Sequence, residues 1–155
     1  MGAGMTYDAA DGYVVLFGGL VGQAGPFCGP NNCKEFTNCS NETWIFSHGV
    51  WTNLSIPGPP ATCDLAMAYD ARDGYILAYL WYGSEIDYWW YGTGWGTGGS
   101  LNQTWEFRHG VWTQLEVPPP DVALGAVATY DSNSGSVLLY ASTEDAAGFV
   151  NYGTW

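Results

Sequence analysis

The chain repeats itself, and that limits its fold more than any other property. Met5-Thr6-Tyr7-Asp8-Ala9-Ala10-Asp11-Gly12-Tyr13 returns 62 positions later as Met67-Ala68-Tyr69-Asp70-Ala71-Arg72-Asp73-Gly74-Tyr75. A looser third copy runs Ala128-Thr129-Tyr130-Asp131-Ser132-Asn133-Ser134-Gly135-Ser136. A second element, Asn41-Glu42-Thr43-Trp44-Ile45-Phe46-Ser47-His48-Gly49-Val50-Trp51-Thr52-Asn53-Leu54, returns 61 positions later from Asn102 to Leu115. A fixed period of this kind marks an array of supersecondary units. Each unit buries its apolar surface only against its neighbours.

Each copy parses into four short strands. Residues 4–8 form the first, and a tight Asp-x-x-Asp-Gly turn leads into the second, 13–17. That second run, Tyr13-Val14-Val15-Leu16-Phe17, is apolar throughout and predicts a strand buried on both faces. In the third, 43–47, Trp44 and Phe46 share a face by period two. A His48-Gly49 turn leads into the fourth, 50–54. Pro57, Pro59 and Pro60 then close the unit, as Pro118, Pro119 and Pro120 do after Leu115, because proline cannot donate to a ladder. No window carries the i, i+3, i+4, i+7 spacing of an amphipathic helix. Four-stranded units at a fixed period predict an all-β chain of β-propeller type.

Composition narrows the class. Fifteen Asp and Glu oppose three basic residues, Lys34, Arg72 and Arg108, for a net charge of -12. Nucleic-acid binding needs clustered cations against phosphate, and this chain has none to offer. An anionic membrane surface would repel it, and no apolar run is long enough to span a bilayer. Four cysteines, Cys28, Cys33, Cys39 and Cys63, fall in one short stretch. An even number in loop-like sequence suggests two disulfides and an oxidising compartment. Three connectivities are possible, of which Cys28–Cys33 and Cys39–Cys63 are expected. A four-thiolate zinc site wants C-x2-C pairs, which this spacing lacks. Asn38, Asn41, Asn53 and Asn102 each head an N-x-[ST] sequon, which agrees with secretion and N-glycosylation. Asn41 and Asn102 recur within the repeat, so turn chemistry is the competing explanation for them.

The residues quoted resemble the kelch repeat family. The shared pattern is an apolar strand ending in Gly18-Gly19, an aromatic strand, and Trp51 or Trp112 with a leucine three residues on. The Asp-Gly-Tyr, Asn-x-Thr-Trp and Gly-Val-Trp-Thr-x-Leu variants are similar to kelch-like repeats of large secreted or cell-surface proteins of archaea and bacteria. The resemblance implies two complete four-stranded blades and a truncated third, over 1–56, 57–117 and 118–155. Leu80-Trp81 and Ala141-Ser142 replace the glycine pair in the later copies, so an altered bend is expected there. Tyr152-Gly153-Thr154-Trp155 matches Glu42-Thr43-Trp44 after a shortened loop. A propeller needs roughly four to eight blades to close. The expected partners are therefore other copies of the chain or the remainder of a longer one.

In such a unit the turns that recur are scaffold, and the loops that vary carry recognition. The variable stretches are 20–40, 55–65, 80–101, 116–125 and 142–153. Residues 79–95 are the most aromatic, with Trp81, Tyr82, Tyr88, Trp89, Trp90, Tyr91 and Trp95 beside Glu85 and Asp87. Rings next to carboxylates suit sugar binding, and Tyr and Trp equally suit a protein interface. A loop folded over its own blade to hide its rings is the third reading. The Cys-rich stretch reads as a stapled projection.

Catalytic patterns are missing from the sequence. Asp8, Asp11, Asp70 and Asp73 lack the ligand series of a calcium loop, and Asx-type turns account for them. His48 and His109 recur at equivalent turns. No HExxH, Ser-His-Asp order or phosphate loop is present. The copper ligands of kelch-type oxidases and the Asp boxes of sialidases are not found either. The expectation is a non-enzymatic extracellular module without cofactor or metal, acting in adhesion, recognition or surface-layer or filament assembly. The alternative is a carbohydrate-binding or carbohydrate-active propeller using 79–95.

Overall fold

The computed structural model describes residues 2–23, 27–29, 32–34, 37–82, 100–118, 125–144 and 150–154. Within them every regular element is a strand. The first sheet holds β1 (Gly4–Asp8), β2 (Tyr13–Phe17), β7 (Thr43–Ser47) and β8 (Val50–Asn53), in that order. The second holds β9 (Asp64–Asp70), β10 (Tyr75–Tyr82), β11 (Ser100–Arg108) and β12 (Val111–Leu115). The third holds β13 (Ala126–Asp131), β14 (Ser136–Glu144) and β15 (Val150–Thr154). All pairings are antiparallel, with β2 pairing with β7 across the intervening stretch of chain, and the sheets approach one another most closely through their first strands, β1 with β9 and β9 with β13.

The repeated turns are built alike. Asp8 Oδ1 accepts from the amides of Ala10 (3.0 Å) and Asp11 (3.2 Å), and Gly12 donates to the Asp8 carbonyl. Asp70 does the same with Arg72 and Asp73, and Asp131 with Asn133. Gly12, Gly74 and Gly135 take φ of 76°, 71° and 66°, a region that a Cβ disfavours. These carboxylates are thus engaged by backbone amides. At the other end, His48-Gly49 and His109-Gly110 place two successive residues at positive φ, the type I′ geometry that matches strand twist.

Register shows how far the third unit follows the first two. Thr43, Thr104 and Thr154 oppose Phe17, Tyr79 and Tyr140, which occupy the same position of the repeat. Thr154 is therefore placed by backbone pairing as well as by sequence.

Two expectations change. The second strand of the first unit is not buried on both faces: Val15 and Phe17 are fully buried, while Val14 and Leu16 are half-buried. Among the described residues only one sheet packs on β2. In β10, which lies between two sheets, Ile76, Ala78 and Leu80 join Phe17 and Phe107 on one side. Tyr79 and Trp81 join Leu139 and Ala141 on the other. The second change is in 20–40, read above as a loop. It contains β3 (Leu20–Gln23) paired with β6 (Thr37–Cys39), and β4 (Phe27–Gly29) paired with β5 (Asn32–Lys34). These nested ladders make an arm rather than an open loop.

Gly18 and Gly19, at φ of 69° and 94°, turn the chain out of β2 into that arm. A Cβ on Gly18 would lie 2.8 Å from the Thr62 carbonyl, so a side chain there is barred. Gly19 donates to that same carbonyl, Ser40 bridges Thr62, and Cys39 is disulfide-bonded to Cys63. The bond closes a span of 24 residues and adds on the order of 3 kcal/mol. In the second unit, where Leu80-Trp81 stands instead, β10 runs on to Tyr82 with a register shift between Leu80 and Tyr82. An irregularity thus stands at Leu80-Trp81, where an altered bend was expected, whereas β14 runs through Ala141-Ser142 with no register shift.

Candidate functional site

Of the aromatic stretch proposed for recognition, Trp81 is described in full, and it is committed elsewhere. It is buried, with its ring stacked on Tyr79 at 6.2 Å in the core between the second and third sheets. It therefore offers no free face to a ligand. Tyr82 ends β10, and Glu85, Asp87, Tyr88, Trp89, Trp90, Tyr91 and Trp95 lie outside the described residues. Cys28 and Cys33 are Cα partners in the β4–β5 ladder.

The sequons separate by environment. Asn41 is exposed. Asn53 Oδ1 accepts from the Ser55 amide at 2.8 Å, an Asx turn. Asn102, at φ 40°, accepts the Tyr79 hydroxyl proton through Oδ1 at 3.1 Å. Asn102 is thus tied to the scaffold, as the repeat argument suggested, while Asn41 faces solvent. Asn38 sits in β6, paired with Gly22.

Among the described residues the most built arrangement is the contact between the first two sheets, and the sequence reading missed its centre. Trp112 of β12 inserts between Phe17 (5.1 Å) and Phe107 (5.0 Å), and its indole N–H donates to Thr43 Oγ1 at 2.9 Å. A buried indole needs such a partner, and a threonine at this position of the repeat supplies it. Gly58 leaves room: a Cβ there would fall 2.6 Å from Trp112 Cδ1. Below the tryptophan, the His109 ring nitrogen Nδ1 donates to Asp11 Oδ1 at 2.8 Å, linking the turn of one unit to the turn of the one before. That bond holds the Asp11 carboxyl below its ordinary value, whereas burial pushes Asp8 and Asp64 up. The Tyr13 hydroxyl, also desolvated and bonded to Asp11, is raised as well.

The same residues on the first sheet have no such neighbour. Register places Tyr7, Val14, Phe46 and Trp51 in one row, with Met5, Leu16 and Trp44 beside it. These are the repeat equivalents of Tyr69, Ile76, Phe107 and Trp112, and of Met67, Ala78 and Trp105. Yet Trp51 is 44% exposed against 7% for Trp112, and Phe46 36% against 0% for Phe107. At the far end, Tyr140 and Tyr152 stack at 6.1 Å on the outer face of the third sheet, both exposed with Val127. Tyr140 occupies the position of Phe17, so this is a face of the accepting kind. The repeated Gly-Val-Trp-Thr signalled both tryptophans in the sequence. Which one would be buried depended on the neighbouring sheet.

Among the described residues no helix is long and apolar enough to cross a membrane, and no group of three or more His, Cys, Asp and Glu is arranged to hold a metal ion. No family model, curated protein or solved structure matches the chain.

Proposed function

We propose that this chain is an extracellular surface-structural or recognition module of kelch-like propeller blades, acting through contact with further units of its own kind. One observation carries this reading: the outer face of the first sheet presents the residues that the second sheet buries in its contact with the first. The third sheet presents the complementary face. A chain with a donor face at one end and an acceptor face at the other associates head to tail, closing into a ring or extending as a filament. A row of exposed aromatic and large apolar side chains is an ordinary mark of an interaction site. The Cys39–Cys63 disulfide agrees with an oxidising exterior, and Asn41 is exposed as a glycan acceptor must be. The kelch assignment itself rests on the sequence resemblance together with the four-stranded antiparallel units.

Light scattering over a wide concentration range tests the proposal. We expect concentration-dependent association, weakened at least about tenfold by Trp51→Ser with Phe46→Ser, since interface aromatics commonly carry more than 1.4 kcal/mol each. A 16.8 kDa monomer at every concentration would overturn it.

A further inference from the structure

Four N-x-[ST] sequons stand in the chain, and the fold treats one of them differently from the rest. Glycan transfer needs the asparagine carboxamide and the hydroxyl two residues on to be reachable together, because that pair defines the sequon. In Asn41-Glu42-Thr43 the asparagine is exposed, but Thr43 lies buried in β7, and its Oγ1 accepts the Trp112 indole proton at 2.9 Å. Asn102, Gln103 and Thr104 all lie inside β11, which pairs on both sides, and Asn102 Oδ1 accepts from Tyr79. In Asn38-Cys39-Ser40 the middle residue is disulfide-bonded to Cys63. Buried Ser40 bridges Thr62 and accepts the Glu42 amide proton through Oγ.

Asn53-Leu54-Ser55 is built the other way. Asn53 is the last residue of β8, and Ser55, exposed and at φ 50°, lies beyond it. The Ser55 amide donates to Asn53 Oδ1 at 2.8 Å and the Ser55 hydroxyl at 3.4 Å, so the turn brings the hydroxyl onto the carboxamide. Both bonds draw electron density towards Oδ1, which makes the Nδ2 protons more acidic. Nδ2 itself has no hydrogen-bond partner among the described residues. The repeat does not account for this motif. The equivalents of Asn53 and Ser55 in the second unit are Gln114 and Glu116, and no positive φ recurs at Glu116. Nor would a sheet packed on the first close the site, because Gln114 stays exposed although its own sheet is packed against the first.

We propose that Asn53 is the glycosylation site of the folded chain, taking an oligosaccharide from a lipid-phosphate-linked donor after the units have packed. Nδ2 attacks the anomeric carbon of the donor sugar. The N–C1 bond forms, the C1–O bond breaks, and the lipid phosphate leaves with the electron pair. One Nδ2 proton passes to a base of the transferase. Asn38, Asn41 and Asn102 accept a glycan only before their strands close. The inference rests on the extracellular reading and names the sequon that stays open to modification once the chain has folded.

The test uses the purified, unglycosylated, disulfide-intact protein, an oligosaccharyltransferase that requires N-x-[ST] alone, and a lipid-phosphate-linked oligosaccharide. Peptide mass mapping locates the adducts. Labelling at Asn53 is expected to be at least about tenfold faster than at any other sequon, since the others need local opening of packed strands. Unfolded peptides of residues 34–44, 48–58 and 97–107 give the intrinsic rates, which should be comparable. Ser55→Ala should abolish the adduct on the folded protein without moving label to Asn41. Labelling of Asn41 or Asn102 as fast as Asn53 in the folded protein would overturn the inference, and so would an unlabelled Asn53. Native-source protein free of glycan would count against the extracellular reading while selective labelling in vitro still upheld the site, so the two failures are distinguishable.

Discussion

Trp51 and Trp112 sit in the same four residues, Gly-Val-Trp-Thr, on equivalent strands of successive units, β8 and β12, and meet opposite fates. Trp112 is enclosed by Phe17, Phe107 and Gly58 and bonded to Thr43. Trp51 touches Phe46 of its own sheet at 5.1 Å and otherwise faces outward. Their turns diverge likewise: His109 reaches Asp11 of the preceding unit, while His48 Nδ1 lies 2.8 Å from its own neighbour, Ser47 Oγ. Local sequence is equal, so the difference belongs to the neighbour. In a repeat array each contact is built from two neighbouring units, so a residue is covered only where the partner unit lies against it.

The largest expected effect bears directly on that pair. Trp112→Ala should destabilise the fold by about 3–5 kcal/mol, the range for emptying a buried aromatic site. Trp51→Ala, at concentrations where the protein is monomeric, should cost only about 0.5–1 kcal/mol. Urea denaturation midpoints measure both, and equal losses would mean that Trp51 is buried in solution. Next in size is Gly58→Ala, which sets a methyl group against the indole ring. We expect a loss of about 1–3 kcal/mol, largely relieved when combined with Trp112→Ala. A double-mutant cycle checks that coupling.

The smallest effect concerns the turns and shows in pH dependence. The folded Asp11 carboxyl lies below its ordinary value because His109 bonds to it. Its contribution is therefore complete above about pH 4 and is lost as pH falls through the lower, folded value. Asp8 and Asp64 act in the other direction. Burial raises them, so their burden on the fold grows as pH rises through their raised values and is relieved by acid. Thermal melts should show stability held or gained from neutral pH towards about pH 5, then a decline below about pH 4 that Asp11→Asn makes shallower. Because His109 is largely exposed, the Asp11→Asn loss at neutral pH should stay below about 1 kcal/mol. His48→Ala, which breaks no contact between units, should leave the whole curve in place.

Much of the fold was legible because its signals are local. Asp8, Asp70 and Asp131 bond amides two or three residues on, and the glycines after them take positive φ, so recurrence alone located three hairpins. The arm of 20–40 was not legible. Its strands are three or four residues long, and their partners close from the outside inward, so no short window carries a period. Trp81 was misjudged for a related reason. It follows an apolar strand and precedes a run of rings, and sequence could not say where the strand stopped. β10 continues to Tyr82, and period two places Trp81 on the Tyr79 side, in the core with Leu139 and Ala141.

The sequence by itself determined the unit: its period, its four strands, its turns, and the equivalence of Phe17 with Tyr79 and Tyr140 or of Trp51 with Trp112. These follow from side chains acting on their own backbone within a few residues. Only the tertiary structure decided which copy of each residue is covered. Burial is a property of the facing sheet, and identical strands are core or surface according to whether another sheet lies against them.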